Sequence, residues 1–206
     1  MPVFLDVVKN GDDLLDVNTL HCYRFAMQIS MSIDDRMQYV VAFEPRVILD
    51  YPLYRGVLYI DQKTLAITRA EFQLDMSDEE KSARFILRKK PLGLRFKLQE
   101  VSYLVTYRYQ DGKSYLNYLR NTIRFKCDWK KRLFSSTYTT TTEMVMVDRN
   151  DRPQESIRLK DAFKQREVFY DVVEEYWNED FWRDYNIIEP TESLESAVKK
   201  LKKQRK

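Results

Sequence analysis

Apolar and polar positions alternate with a period of two through long parts of the chain. The clearest run is Val101, Tyr103, Val105, Tyr107 and Tyr109, interleaved with Ser102, Leu104, Thr106 and Arg108. That alternation predicts a strand. Asp111-Gly112 is a tight-turn dipeptide, and the return strand starts near Lys113-Ser114, carries Tyr115–Ile123 and continues through Phe125, Cys127 and Trp129. Two further β-rich runs, Val57–Ile60 and Leu65–Phe72, flank the polar Asp61-Gln62-Lys63-Thr64 and read as a second hairpin. Tyr23–Ser32, a turn at Asp34-Asp35-Arg36, and Met37–Phe43 form a third. Leu94–Val101 opens the second sheet block, and the Thr-rich Leu133–Val147 closes it after the exposed Lys130-Lys131-Arg132 turn. A sheet of roughly seven to nine antiparallel strands, joined mainly by short hairpins, follows.

Helical spacing occurs in three places. Val3–Leu20 mixes acids with Leu5, Val8, Leu14, Leu15 and Leu20, enough for one or two short helices broken at Gly11-Asp12-Asp13. Ser77-Asp78-Glu79-Glu80 is a helix start with Ser77 as N-cap, which predicts a short helix over Glu80–Leu87. Beyond the boundary at Asn150–Pro153, Leu159, Ala162, Phe163, Val172, Val173 and Tyr176 fall at helical spacing, and Trp177, Phe181 and Trp182 extend them as an aromatic anchor. Thr191 or Ser193 can cap a last helix carrying Leu194, Val198 and Leu201. The expected fold class is therefore α+β, mainly antiparallel β. It is a curved sheet or incomplete (half) barrel in a single domain over 1–206, with sheet in 1–153 and covering C-terminal helices in 154–206.

Composition changes this picture little. An apolar share of 44% in 206 residues suffices for a core, and only four Gly and six Pro argue against a low-complexity chain. The net charge of +3 is concentrated at the end, where Lys199, Lys200, Lys202, Lys203, Arg205 and Lys206 lie without an acid. Such a tail suits the solvated end of a last helix, and nothing in the body continues it as a nucleic-acid track, so no nucleic-acid partner is expected. Cys22 and Cys127 fit no metal spacing; one disulfide and two buried thiols are both open readings. The acidic start MPVFLDVVKNGDDLLD does not read as a signal peptide, and no run is long enough for a membrane-spanning helix. Expressed as written, the chain is expected to stay in the cytoplasm.

Catalytic constellations are sparse. His21 is the only histidine, which excludes a multi-histidine metal centre, and its neighbour Cys22 should point to the opposite face if the segment is extended. The pairs Asp34-Asp35, Glu174-Glu175 and Glu179-Asp180 read as solvated acids. The glycines stand alone at 11, 56, 93 and 112, so no phosphate-cradling loop exists. Tyr103, Tyr107, Tyr109, Tyr115 and Tyr118 with Arg108, Arg120 and Arg124 have the ingredients of a base-stacking platform, but cross-strand aromatic pairs also stabilise a sheet without a ligand. No enzyme, cofactor or metal is expected.

The segments PVFLDVVKNGDDLLD, IDDRMQYVVAFEPR, YRGVLYIDQKTLAITRAEFQLDMSD, KPLGLRFKLQEVSYLVTYRYQDGKSYLNYLRNTIRFKCDWKKRLFSS and FWRDYNIIEPTESLESAVKKLKKQ resemble the C-terminal region of exported Bacteroidetes proteins that carry a carboxypeptidase-regulatory-like domain. At greater distance, the Gly56–Phe72 hairpin looks like strands of LolA-like lipoprotein carriers. The resemblance implies a periplasmic or cell-envelope protein, and the LolA-like analogy an apolar cavity between sheet and helices. The chain departs from both patterns in lacking a signal peptide and a regulatory sandwich. That departure implies a shortened relative with one sheet edge open to a protein partner. The expected function is non-enzymatic binding of an apolar ligand, lipoprotein or envelope partner in a sheet–helix groove lined by Leu58, Ile60, Tyr103, Val105, Tyr107, Ile123 and Phe125. The alternative is a structural or protein-interaction module whose core is simply filled.

Overall fold

Seven strands, paired strictly in chain order, make one open antiparallel sheet: β1 (Tyr23–Ile33), β2 (Arg36–Pro45), β3 (Tyr54–Asp61), β4 (Ile67–Leu74), β5 (Leu94–Gln110), β6 (Lys113–Trp129) and β7 (Ser136–Val145). The computed structural model describes residues 6–9, 14, 16–87, 90–130, 134–147, 149 and 158. The chain divides into two units, Met1–Asn150 and Asp151–Lys206, and the seven described strands belong to the first.

Turn chemistry sets the register. Asp34 and Asp35 both lie at positive φ, as do Asp111 and Gly112, the backbone that two-residue hairpin turns require. The β3–β4 turn is built differently. Asp61 Oδ1 accepts from the Thr64 N–H at 2.8 Å, the Thr64 hydroxyl at 2.9 Å and the Lys63 N–H at 3.1 Å. Leu65 then turns through positive φ and donates to the Asp61 carbonyl.

Because alternation persists across each pairing, whole rows of side chains share one face. One row runs Val41, Leu58, Ala70, Val105, Leu119, Met144; the next runs Phe43, Gly56, Phe72, Tyr103, Asn121, Thr142. Gly56 has a steric reason: a Cβ there would lie 2.1 Å from the Glu71 carbonyl oxygen and 2.6 Å from Phe72 Cα. Beside it, Phe72 stacks on Tyr103 at 4.9 Å, and Tyr54 meets both rings edge-on.

The α+β expectation, with C-terminal helices covering the sheet, is corrected. Among the described residues there is one α-helix, α1 (Glu79–Ile86), beside a 3-10 turn at Leu20–Cys22, so this is a mainly β fold built on an open sheet. The sheet's apolar face takes its cover from segments near the strands: Val7 and Leu14 before β1, Leu49 and Leu53 between β2 and β3, and Met76, Ala83 and Ile86 in and before α1. The helices expected over 154–206, with Trp177, Phe181 and Trp182, lie outside the described residues. The N-cap of α1 is Asp78, which accepts from the Lys81 N–H at 2.9 Å; Ser77 instead donates to Asp75 at 2.6 Å.

Candidate functional site

The seven residues expected to line a groove share the apolar face, since the registers place Leu58 opposite Ala70, Ala70 opposite Val105, and Val101 and Leu98 opposite Ile123 and Phe125. Leu58, Tyr103, Val105 and Tyr107 are buried within the core cluster, and Ile123 and Phe125 pack against it. Val105 and Leu119 have no exposed surface. Ile60 sits apart, half-buried between Tyr39 and Ile67.

Two polar devices brace this face. Asp6 Oδ1 accepts the Tyr107 phenol at 2.9 Å and the backbone N–H groups of Val8 and Lys9 at 3.2 Å. Burial, then the charge and hydrogen bond of Asp6, push the Tyr107 phenol far above its ordinary range. At the hairpin end, Asp61 is 1% exposed and pairs with Arg36 at 2.8 Å. Burial alone would raise its carboxyl; the Thr64 and Lys63 hydrogen bonds and the Arg36 guanidinium outweigh it and hold the carboxyl below the usual range. Neither carboxylate is free for chemistry.

The opposite face is polar. A cleft of about 460 Å³ is lined there by Arg55, Arg69, Glu71, Ser102, Arg120 and Thr122, among others. Its cations are already engaged: Arg55 with Asp75 at 2.6 Å, Arg69 with Glu71 at 2.5 Å and over the Tyr59 ring, and Arg120 with the Tyr118 phenol. The aromatic–arginine ladder does not form one platform, because Tyr103 and Tyr107 face the core whereas Tyr118 lies on the polar side.

His21 and Cys22 do meet, with Cys22 Sγ 3.5 Å from His21 Nε2. Neighbours diverge in a strand but not in the 3-10 turn that holds Leu20–Cys22. Cys22 is nonetheless buried in the core cluster beside Tyr23, and both cysteines are free thiols. Burial pushes the Cys127 thiol up. Among the described residues no group of His, Cys, Asp and Glu is placed to hold a metal ion, and no helix is long and apolar enough to cross a membrane.

The feature that sequence reading missed is an apolar patch on the first hairpin. Ile29 is 92% exposed and Met27 63%, with Phe25, Met31, Met37 and Tyr39 each more than a third exposed. In the run FAMQISM, Phe25, Met27, Ile29 and Met31 alternate with Ala26, Gln28 and Ser30, a pattern that reads as four large apolar side chains on one face of a strand, here a terminal one with a neighbour on one side only. That was the available signal. No protein-family model, no curated protein and no solved structure matches this chain.

Proposed function

We propose that this chain is a non-enzymatic docking module that engages a protein partner through the exposed apolar surface of its β1–β2 hairpin. The observation that carries the reading is a contrast within one sheet. Its central apolar rows are filled by the chain's own segments, whereas six large apolar side chains at one end stand in solvent. Soluble domains seldom leave this many large apolar side chains exposed on one hairpin without a use for them. The Met residues among them give a soft, adaptable surface. A periplasmic or envelope setting, implied by the Bacteroidetes resemblance, belongs to this proposal and is tested by cell fractionation.

Carriage of an apolar ligand or lipoprotein is the second reading. What favours it is the incompletely covered end of the same face, where Tyr39 is exposed and Ile60 only half-buried.

A photo-cross-linking residue at Ile29, introduced in the producing cells, tests the docking reading. The expected result is a discrete protein adduct that disappears when Phe25→Ser and Met27→Ser are added, with none from the same probe at exposed Arg95. No adduct at Ile29, or one indifferent to those substitutions, overturns it.

A further inference from the structure

The other end of the sheet poses a separate question. β7 is a terminal strand of ten residues, and its pairing with β6 runs without interruption from Tyr118 opposite Val145 to Cys127 opposite Ser136. Exposed edges are normally blunted by a bulge, a proline, a lysine or an inward charge, because their free N–H and C=O groups template pairing with another chain. The β7 sequence STYTTTTEMV has no bulge, no proline and no lysine. Its one charge, Glu143, is engaged by the Tyr118 phenol. Most of its side chains are exposed, and among the described residues no backbone hydrogen bond reaches its outer side. The edge at β1, by contrast, carries a register shift between Gln28 and Met31.

We propose that β7 pairs antiparallel with β7 of a second copy of this chain, joining two sheets edge to edge about a two-fold axis. The strand is complementary to itself. In a continuous antiparallel sheet, residues directly opposite must share a face, so the axis passes through one residue and not between two. With the axis at Thr140, Thr139 faces Thr141 of the second copy, Tyr138 faces Thr142, and Thr137 faces Glu143. With the axis at Thr141, Thr140 faces Thr142, Tyr138 faces Met144, and Thr139 faces Glu143. In both registers hydroxyls meet hydroxyls, a ring covers a neighbour, and no two like charges are opposed. Cross-strand Thr pairs of this kind are favourable. The symmetry also closes: β7 is consumed by β7, whereas β7-to-β1 pairing would leave both edges free at each step and propagate. The irregularity in β1 interrupts such a propagating ladder. This inference does not rest on the docking reading, which concerns the other end of the sheet.

Sedimentation equilibrium of the full chain over a concentration series, with two sets of variants, tests it. The wild-type chain is expected to show a reversible monomer–dimer equilibrium. Thr139→Lys with Thr141→Lys sets lysine against lysine across the axis at Thr140, and the dissociation constant is expected to rise by at least about tenfold with an unchanged circular dichroism spectrum. Single Cys replacements at positions 139 to 142 provide the second arm. At the residue on the axis, two Cα atoms fall within disulfide range, so that variant alone is expected to oxidise to an interchain dimer. A wild-type chain that stays monomeric throughout overturns the proposal. So does a dimer that survives the lysine pair and gives no disulfide at any of the four positions.

Discussion

The Tyr107 hydroxyl donates to Asp6 Oδ1 at 2.9 Å, tying together positions 101 residues apart. The same phenol oxygen accepts from the Val8 N–H at 3.3 Å, so the segment carrying buried Val7 is latched over the apolar face. Tyr107→Phe is expected to lower stability by about 1–2 kcal/mol and to speed exchange of the Val8 amide. The phenol's pKa is raised by burial and then by Asp6, and that of Tyr23 is raised chiefly by burial. A raised phenol contributes stability that is complete below its unfolded value, about pH 10, and is lost as pH rises beyond it. Denaturant midpoints measured against pH are expected to fall above about pH 10, less steeply in Tyr107→Phe.

Asp61 gives the opposite pH dependence. Its carboxyl is held below the usual range, so its contribution is present above the unfolded carboxylate value of about 3.9 and disappears as pH falls below it. Asp61→Asn removes the charge facing Arg36 while keeping an oxygen for the turn hydrogen bonds. Equilibrium unfolding near neutral pH is expected to show a loss of about 1–3 kcal/mol, with a weaker acid dependence than wild type.

Leu58 separates a filled core from a ligand groove. It is buried opposite Ala70 in the row that ends at Met144. Leu58→Ala is expected to cost about 2–5 kcal/mol in urea unfolding, as for a packed leucine. A loss below about 0.5 kcal/mol would mean that its neighbours do not enclose it.

Of the described glycines, Gly56 alone has no room for a Cβ. A methyl group must push against the Glu71 carbonyl and Phe72, both backbone-held. Gly56→Ala is expected to destabilise by about 1–3 kcal/mol, read as a lower thermal midpoint.

Much of the sheet is legible in the sequence. Val101 to Tyr109 alternate, Asp111-Gly112 closes β5 to β6, and the hairpins around Asp34-Asp35 and Asp61 fall where turn residues interrupt apolar runs. These signals are local. What covers the apolar face was not legible, because it depends on distant contacts such as Tyr107 with Asp6. Period-two alternation names two faces without saying which is dry or what lies upon it. Leu58, Tyr103, Val105 and Tyr107 share one face, but that they are buried in the core is not legible from alternation. The Cys22–His21 contact was missed because a strand was expected where the chain makes a 3-10 turn. The Ile29 patch was missed because exposure at a terminal strand depends on sheet order.

Native mass spectrometry of the protein purified from its producing cells without detergent tests the docking account most directly. The expected spectrum contains the polypeptide, alone or with protein subunits, and organic extraction of the same sample releases no stoichiometric lipid. An acyl chain, lipid or other apolar small molecule bound in stoichiometric amount would contradict the account and make the sheet a carrier.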